Sequence, residues 1–456
     1  MTALNESTLE DATLQWFDEL GYAIGHGPHL APGEPAAERA TFGDVILVAR
    51  LRAAIHRLNP AIPDDACEDA LRKVLRIGTP ALTGTNRAFH RMLRDGVPVE
   101  YPRAGGGIAG DFVKLVDFEH VLANDWHAIN QFTVIEGQHN RRPDVVVFVN
   151  GLPLGLIELK NAADEDATIW SAYAQLQTYK AEIGTLLQFN AVLVVSDGVQ
   201  ARIGSLTANQ EWFKVWRTVT GDGDAPPTAL ELEVLVRGVF ERERFLDLLQ
   251  HFIVFEEDPE SGSLQKIIAG YHQFHAVNAA VEETVRASGM VAIGAARDEK
   301  GTYWAGQMRG GQPGDRRAGV VWHTQGSGKS FSMLFFAARV VRHPAMQNPT
   351  LVVLTDRNDL DDQLFGQFQR CADILGQTPV QAEDRDHLRT LLNRASGGVV
   401  FTTIHKFAAP ATGVLSGDSP EGEGEDPAPQ PSASSVGAKW SYGCLVRPSE
   451  YRGHRR

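Results

Sequence analysis

Apolar side chains return every three or four positions through Phe42-Gly-Asp-Val-Ile-Leu-Val-Ala-Arg-Leu-Arg-Ala-Ala-Ile-His-Arg-Leu58, the spacing of one face of an α-helix. Asn59-Pro60 and Pro63 end that stretch, because proline has no amide hydrogen with which to continue a helical ladder. A second helix is expected near 66–77, and the first 60 residues read as mostly helical. From Thr133 to Val195 the pattern changes to short β-rich runs at Val145–Val149, 154–159 and 191–196, with a helical stretch over 166–183 between the last two. Both kinds of element in one region predict a mixed α/β fold.

A Gly/Asp/Pro-rich break, Thr220-Gly-Asp-Gly-Asp-Ala-Pro-Pro227, precedes the acidic segment Glu256-Glu-Asp-Pro-Glu-Ser-Gly262 and places a domain boundary near Asp258. Beyond it a helix over 264–288 leads into apolar runs that alternate strand and helix: 319–322, Lys329–Arg342, 350–354, 361–375 and Val399–Thr403. That is the βαβ rhythm of a parallel sheet. From about Ala408 the periodicity ends. Residues 413–437 are rich in Gly, Ser, Pro and Glu and are expected to be disordered, and 440–456 show no periodicity.

Composition narrows the class. A chain of 456 residues with 43% hydrophobic and 22% charged positions reads as an ordinary water-soluble protein of two or three domains. No apolar run approaches the roughly 20 residues that span a bilayer, and Met1-Thr-Ala-Leu-Asn-Glu-Ser7 lacks a signal-peptide pattern. Cys67, Cys371 and Cys444 are too scattered for a disulfide framework or a metal site, which fits a reducing cytoplasm. The fifteen histidines, His26, His56 and His90 among them, show no metal-ligand spacing. A net charge of −14 argues against a protein that coats nucleic acid with its whole surface, but leaves room for a local basic groove.

Two constellations carry chemistry. The first is His323-Thr324-Gln325-Gly326-Ser327-Gly328-Lys329-Ser330, between an apolar run and an apolar helix. Glycines let backbone amides converge on phosphate oxygens, and the helix N-terminus adds partial positive charge. Lys329 is placed to reach the β- and γ-phosphates and Ser330 to ligate Mg2+. His323 stands where the strict pattern has glycine, so the match is to a helicase-like variant. Hydrolysis would need a second strand carrying Asp and Glu, and no Asp-Glu dipeptide follows Lys329.

The second is Arg142-Pro-Asp144 followed by Glu158-Leu-Lys160-Asn161 at the end of the next β run. Glu158 and Lys160 are two apart and share a strand face. Two carboxylates on adjacent strands can hold a divalent metal, and a nearby ammonium can position or deprotonate the attacking water. The geometry makes a demand. A plain two-residue turn at Asn150-Gly151 would pair Asp144 with Ile157 and point it away from Glu158. An odd loop or a bulge is therefore expected, with Pro153 helping to break the register. Gln175 and Tyr179 follow, one turn apart on a helix.

On these residues the chain resembles the restriction (R, or motor) subunit of type I restriction–modification enzymes over about residues 10–407. Asp144, Glu158 and Lys160, with Gln175 and Tyr179, are similar to that family's PD-(D/E)xK nuclease motifs; Asp144 and Glu158 would be metal ligands and Lys160 the catalytic lysine. A further acidic residue often comes from an N-terminal helix in such nucleases, and Glu38 is a candidate. Tyr271-His-Gln273-Phe resembles the segment whose glutamine reads adenine. Residues 322–330 resemble superfamily 2 helicase motif I. Asp356, Arg357 and Asp359 sit where motif Ia lies, and Phe401-Thr-Thr403 where the next motif does.

The resemblance implies an α/β chain with a PD-(D/E)xK-type endonuclease domain at 1–257, a partial RecA-like ATP-binding domain at 258–407 and a disordered, non-family tail at 408–456. It implies ATP-dependent cleavage of unmethylated double-stranded DNA, with ATP and Mg2+, in complex with specificity and methylation subunits and away from any membrane. The family continues with a DEAH-like box, a second RecA-like domain and a helical region, so the expectation is a chain truncated or frameshifted after the first helicase motifs. It would hold phosphates without driving translocation. The alternative is a non-catalytic assembly protein, or an inactive product, that binds ATP or the methylase core.

Overall fold

The computed structural model describes residues 6–79, 81–103, 105–160, 168–289, 312–407 and 443–447. The chain opens with α1 (Glu6–Glu19), β1 (Ala23–His26), α2 (Val48–Leu58), α3 (Asp64–Leu75) and α4 (Leu82–Asp95). Strands β2 (Val97–Pro102), β3 (Ile108–Val113), β4 (Trp126–Asn130), β5 (Val134–Glu136), β6 (His139–Arg141), β7 (Val145–Val149) and β8 (Leu152–Leu159) follow. Then come α5 (Ile169–Glu182), α6 (Gly184–Leu187), β9 (Val192–Ser196), β10 (Ala201–Gly204), α7 (Glu231–Val239) and α8 (Arg242–His251). The hairpin β11 (Ile253–Glu257) and β12 (Leu264–Ile268) runs into α9 (Tyr271–Ser288) and, later, α10 (Lys329–Arg342). The remainder is β13 (Thr350–Thr355), α11 (Asn358–Arg370), α12 (Ala372–Leu375), β14 (Val380–Gln381), α13 (Arg385–Leu392), β15 (Val399–Thr403) and β16 (Gly443–Arg447).

Two compact units result, Met1–Arg339 and Val340–Arg456. The first is built on a six-stranded mixed sheet in the order β1-β4-β7-β8-β9-β10. Its middle strands β7, β8 and β9 are buried at every position, so they are apolar on both faces rather than alternating. α1 covers part of the sheet because Leu9, Thr13, Leu14 and Phe17 form one buried stripe at helical spacing. The second unit holds β14, β15 and β13 in parallel, with β16 antiparallel on the other edge of β13. Thus the mixed α/β reading and the expected parallel sheet hold, and Thr350–Thr355 lies beside Val399–Thr403.

Several elements differ from expectation. α2 begins at Val48, because residues before it turn through a bond from the Thr41 amide to Asp44 Oδ2 (2.7 Å). Residues 264–268 form β12, not the start of a helix; they pair with β11, and the acidic segment between them is a turn. That hairpin ties the chain across Asp258, so the division near 258 does not coincide with the compact units, which part within α10. Residues 319–322 are in no strand, and Val320, Val321 and Trp322 are exposed. An apolar run becomes a strand only where a neighbour takes up its amides and carbonyls. In the tail expected to be disordered, Gly443–Arg447 pairs with β13 through the apolar run Cys444-Leu445-Val446. The rest of 408–456, including the Gly/Ser/Pro-rich 413–437, lies outside the described residues, as does Asn161.

Candidate functional site

β7 and β8 are joined by a two-residue turn in which Asn150 and Gly151 both have positive φ, +52° and +79°, the conformation of the tight hairpin turn that favours Asn-Gly. Val149 pairs with Leu152 and Phe148 with Pro153. The register then shifts: Val147 pairs with Gly155 and Val145 with Ile157. Leu154 is the extra residue of a β-bulge, and the slip brings Asp144 opposite Glu158 on one face of the sheet. The expected register break is present, made by a bulge beside Pro153 rather than by an odd turn. Gly155 just after it sits in a tight spot: a Cβ there would meet Phe240 and Val147 at 3.0 and 3.1 Å.

Asp144 and Glu158 are both buried, Glu158 completely. Asp144 Oδ2 accepts from the Leu159 amide at 2.7 Å, and the Lys160 ammonium donates to Glu158 Oε1 at 2.9 Å. On α5 the Gln175 amide donates to the Tyr179 hydroxyl at 2.6 Å. The Tyr179 hydroxyl is pushed well above its ordinary range by burial and by the charge of Glu158, to which it is hydrogen-bonded. It therefore stays protonated as a hydrogen-bond donor. All five residues expected at this site come together.

An open cleft of about 460 Å3 lies in front of them, lined by Asp144, Gln175 and Tyr179 and by Ser7, Glu10, Gln131, Asn140, Arg141 and Arg142. Glu10 is the residue the sequence reading missed. It projects from α1, is buried, and accepts from the Gln131 amide at 2.6 Å and the Asn130 amide at 3.1 Å. Its signal was a carboxylate on the buried stripe of α1, one turn before Thr13 and Leu14. Glu38 is not in the cleft. It accepts from Arg50 Nη2 at 2.6 Å, and Arg50 also reaches Asp125 at 2.9 Å; that ion-pair network occupies it.

At the glycine-rich segment Gly326 and Gly328 adopt positive φ, +79° and +76°, and α10 begins at Lys329. The Lys329 ammonium folds back on the Thr324 carbonyl (2.9 Å) and the His323 carbonyl (3.4 Å). Ser327 Oγ donates to the Thr324 carbonyl at 2.8 Å. Ser330 stands in the first turn of α10, and Thr324, Gln325 and Gly326 are exposed. The start of α9 holds this loop from behind: His272 Nε2 donates to the Ser327 carbonyl at 3.1 Å and Gln273 Nε2 to the Gly328 carbonyl at 2.9 Å. Gln273 Oε1 accepts from the Gly270 amide at 2.9 Å. Gln273 is thus 3% exposed and committed to the loop and its own helix cap; its amide is not presented to a base. Burial, with the charges of His272 and Lys329, holds His323 below the ordinary histidine range, so this replacement for glycine is neutral near pH 7.

In the second unit Arg357 is the N-cap of α11 and Asp359 lies in its first turn. Asp361 is the buried acid there, accepting from Thr355 Oγ1 at 3.2 Å and Gln381 Nε2 at 2.9 Å. Thr402 and Thr403 are buried in β15.

The family profile described as type I restriction enzyme R protein N terminus matches residues 3–212, and that of the SWI2/SNF2 ATPase matches 272–424. The type I restriction enzyme HindI endonuclease subunit of Haemophilus influenzae is 41% identical over 409 residues, 89% of this chain and 36% of that protein. The chain is thus similar to type I restriction enzyme R proteins over both matched regions. A putative type I restriction enzyme MjaIXP endonuclease subunit of Methanocaldococcus jannaschii is 33% identical over 424 residues, covering 89% of this chain and 37% of the relative. The chain therefore spans a little over a third of the length of these relatives. The bulged hairpin and its cleft fall in the first matched region, and the loop held by α9 in the second. No helix among the described residues is long and apolar enough to cross a membrane.

Proposed function

We propose that this chain supplies the phosphodiester-cleaving site and the nucleotide-phosphate loop of a type I restriction endonuclease. It would act on unmethylated double-stranded DNA with specificity and methylation subunits in the cytoplasm. In this reading the first unit contains a PD-(D/E)xK-type nuclease, and residues 258–407 belong to a partial RecA-like ATP-binding domain. The observation that carries it is the bulge at Leu154, which brings Asp144 and Glu158 to one face beside Lys160, with Asp144 lining a cleft edged by Arg141 and Arg142. A sheet with solvated charged ends has no need to bury two carboxylates side by side.

The donor set fits Mg2+. That ion keeps several waters and takes one or two carboxylates together with phosphate oxygens. Among the described residues no group of three or more His, Cys, Asp or Glu converges to form an all-protein cage. Asp144 and Glu158 would hold the ion, with Glu10 facing the same cleft. When bound it would acidify a water and offset phosphate charge. The chain's own residues do the rest. The Leu159 amide fixes the Asp144 carboxylate. Lys160, held at 2.9 Å by Glu158, orients the attacking water, and Tyr179, kept protonated and oriented by Gln175, donates toward the acidic pair. Arg141 and Arg142 would hold backbone phosphates at the rim. At the second site the amides of 326–330 and Lys329 would hold ATP phosphates, with Ser330 toward Mg2+.

Plasmid incubated with this chain and its specificity and methylation subunits, with ATP and Mg2+ or Mn2+, should be cut. Asp144→Ala and Lys160→Ala should abolish cutting while leaving DNA retention unchanged. Cutting that survives both substitutions would remove the reading. At the second site, binding of a fluorescent ATP analogue should be lost in Lys329→Ala.

A further inference from the structure

Lys266 lies in β12 with its side chain inside the first unit, 2% exposed. Its ammonium donates to Asn86 Oδ1 at 2.9 Å and to the Asn190 carbonyl at 2.7 Å, and sits 5.6 Å from the centroid of the Phe255 ring. None of these partners is a carboxylate. An ammonium buried without a counter-charge is expensive, so what it holds is informative. Asn86 faces it from α4 and gives its amide to the carbonyls of Leu187, Gln188 and Asn190 at 3.2, 3.0 and 2.8 Å. Lysine and asparagine together fix the turn that opens β9.

That turn abuts the bulge. The Asn190 side chain donates to the Val192 carbonyl at 2.8 Å, and the Ala191 amide donates to the carbonyl of Leu154 at 2.7 Å. Leu154 is the extra residue that sets which face Glu158 takes. From there β9 runs parallel to β8, with Val195 opposite Glu158. In the other direction β12 passes in four residues to Gly270 and the first turn of α9, where His272 and Gln273 grip the glycine-rich loop.

We propose that Lys266 is a positioning residue for the Asp144–Glu158 pair, acting through Asn190 and the Leu154 bulge, and that it couples this pair to the phosphate loop through β12 and α9. The inference rests on the reading of that pair as the metal-holding nuclease site. Coupling needs contiguous groups that both sites can bias, and each link here is a hydrogen bond or a covalent step within one unit.

The test uses the whole chain, with Mn2+ as the probe. Wild type, Lys266→Met, Asn86→Ala and Asp144→Ala are titrated with Mn2+ by calorimetry. The plasmid assay is run with the specificity and methylation subunits, and exchange of the Ala191 amide is followed with and without a non-hydrolysable ATP analogue. Lys266→Met and Asn86→Ala should each weaken Mn2+ binding by about tenfold or more, as loss of a supporting contact does. They should lower kcat with KM for DNA unchanged and speed Ala191 exchange. The ATP analogue should alter Ala191 exchange in wild type but not in Lys266→Met. Should Lys266→Met not fold, Asn86→Ala decides. Mn2+ affinity within twofold of wild type in the variants, with binding lost in Asp144→Ala, would overturn the positioning role and leave the nuclease reading standing. Mn2+ binding unchanged in Asp144→Ala would remove that reading and this inference with it. No effect of the analogue on wild-type exchange would remove the coupling.

Discussion

Arg339, at the end of the first unit, tests how the helices beside the glycine-rich loop are held together. Its Nη1 donates to Asp247 Oδ2 at 2.6 Å, and Asn278 of α9 donates to the same oxygen at 2.9 Å. Three helices, α8, α9 and α10, thus meet on one largely buried carboxylate, 17% exposed, ten residues and about 15 Å of helix beyond Lys329. Burial alone would push Asp247 up, but Arg339, His251 and the hydrogen bonds outweigh it and hold the carboxyl below its ordinary 3.8. The pair therefore adds stability that is complete above pH 3.8 and lost as pH falls through the lower folded value. Arg339→Met leaves the carboxylate buried without its cation, a loss of about 3–5 kcal/mol. Burial then governs, the Asp247 pKa rises above 3.8, and the variant should recover part of its lost stability on acidification from pH 7 to 5. Urea unfolding at both pH values, followed by a probe in the first unit, measures this. Asp247→Asn combined with Arg339→Met should be less destabilised at pH 7 than Arg339→Met alone. A single variant that costs less than about 1 kcal/mol, or a double variant no better than the single, would refute the buried-pair argument.

Two further outcomes follow from other residues. Glu10→Gln should cut plasmid about 10–100-fold more slowly with DNA retention unchanged; an unchanged rate in the plasmid assay would remove Glu10 from the site. Lys266 is pulled down to about 7 by burial from an ordinary 10.5. Between those values the unfolded chain binds the extra proton, so stability should rise with pH, by at most about 1.4 kcal/mol per pH unit. Below pH 7 the penalty is constant. His90, which faces it from α4 and is itself held neutral by burial and by the charges of Lys266 and Arg94, does not titrate in that window. The unfolding free energy of wild type relative to Lys266→Met should therefore climb from pH 7 to 9, and a flat difference would show that burial does not penalise the ammonium.

The parts of this protein that were legible in its sequence are those whose evidence is local. Val145–Val149, Lys329–Arg342 and Val399–Thr403 declare themselves by period and by flanking glycines. The need for a register break between Asp144 and Glu158 followed from counting residues. What stayed hidden depends on distant partners. Residues 319–322 read as a strand from composition but find no ladder partner among the described residues. β12 was absorbed into a helix because its pairing with β11 is invisible to periodicity. Glu10 is separated from Asp144 by over a hundred residues, and only its place on a buried stripe marked it out. Gln273 looked like a base reader because its motif was clear, whereas its hydrogen bonds run to Gly328 and Gly270.

The bulge at Leu154 also means that the acidic pair is written in arithmetic as well as in chemistry. Thirteen residues separate Asp144 from Glu158, and with an even turn an odd remainder must be swallowed somewhere in the hairpin. Adding or removing one residue there would exchange the inner and outer faces of one strand end without altering any residue already in it. Adding two would restore them. The hairpin can thus drift in composition but not in parity, and a one-codon change in its length could silence the pair without touching either carboxylate.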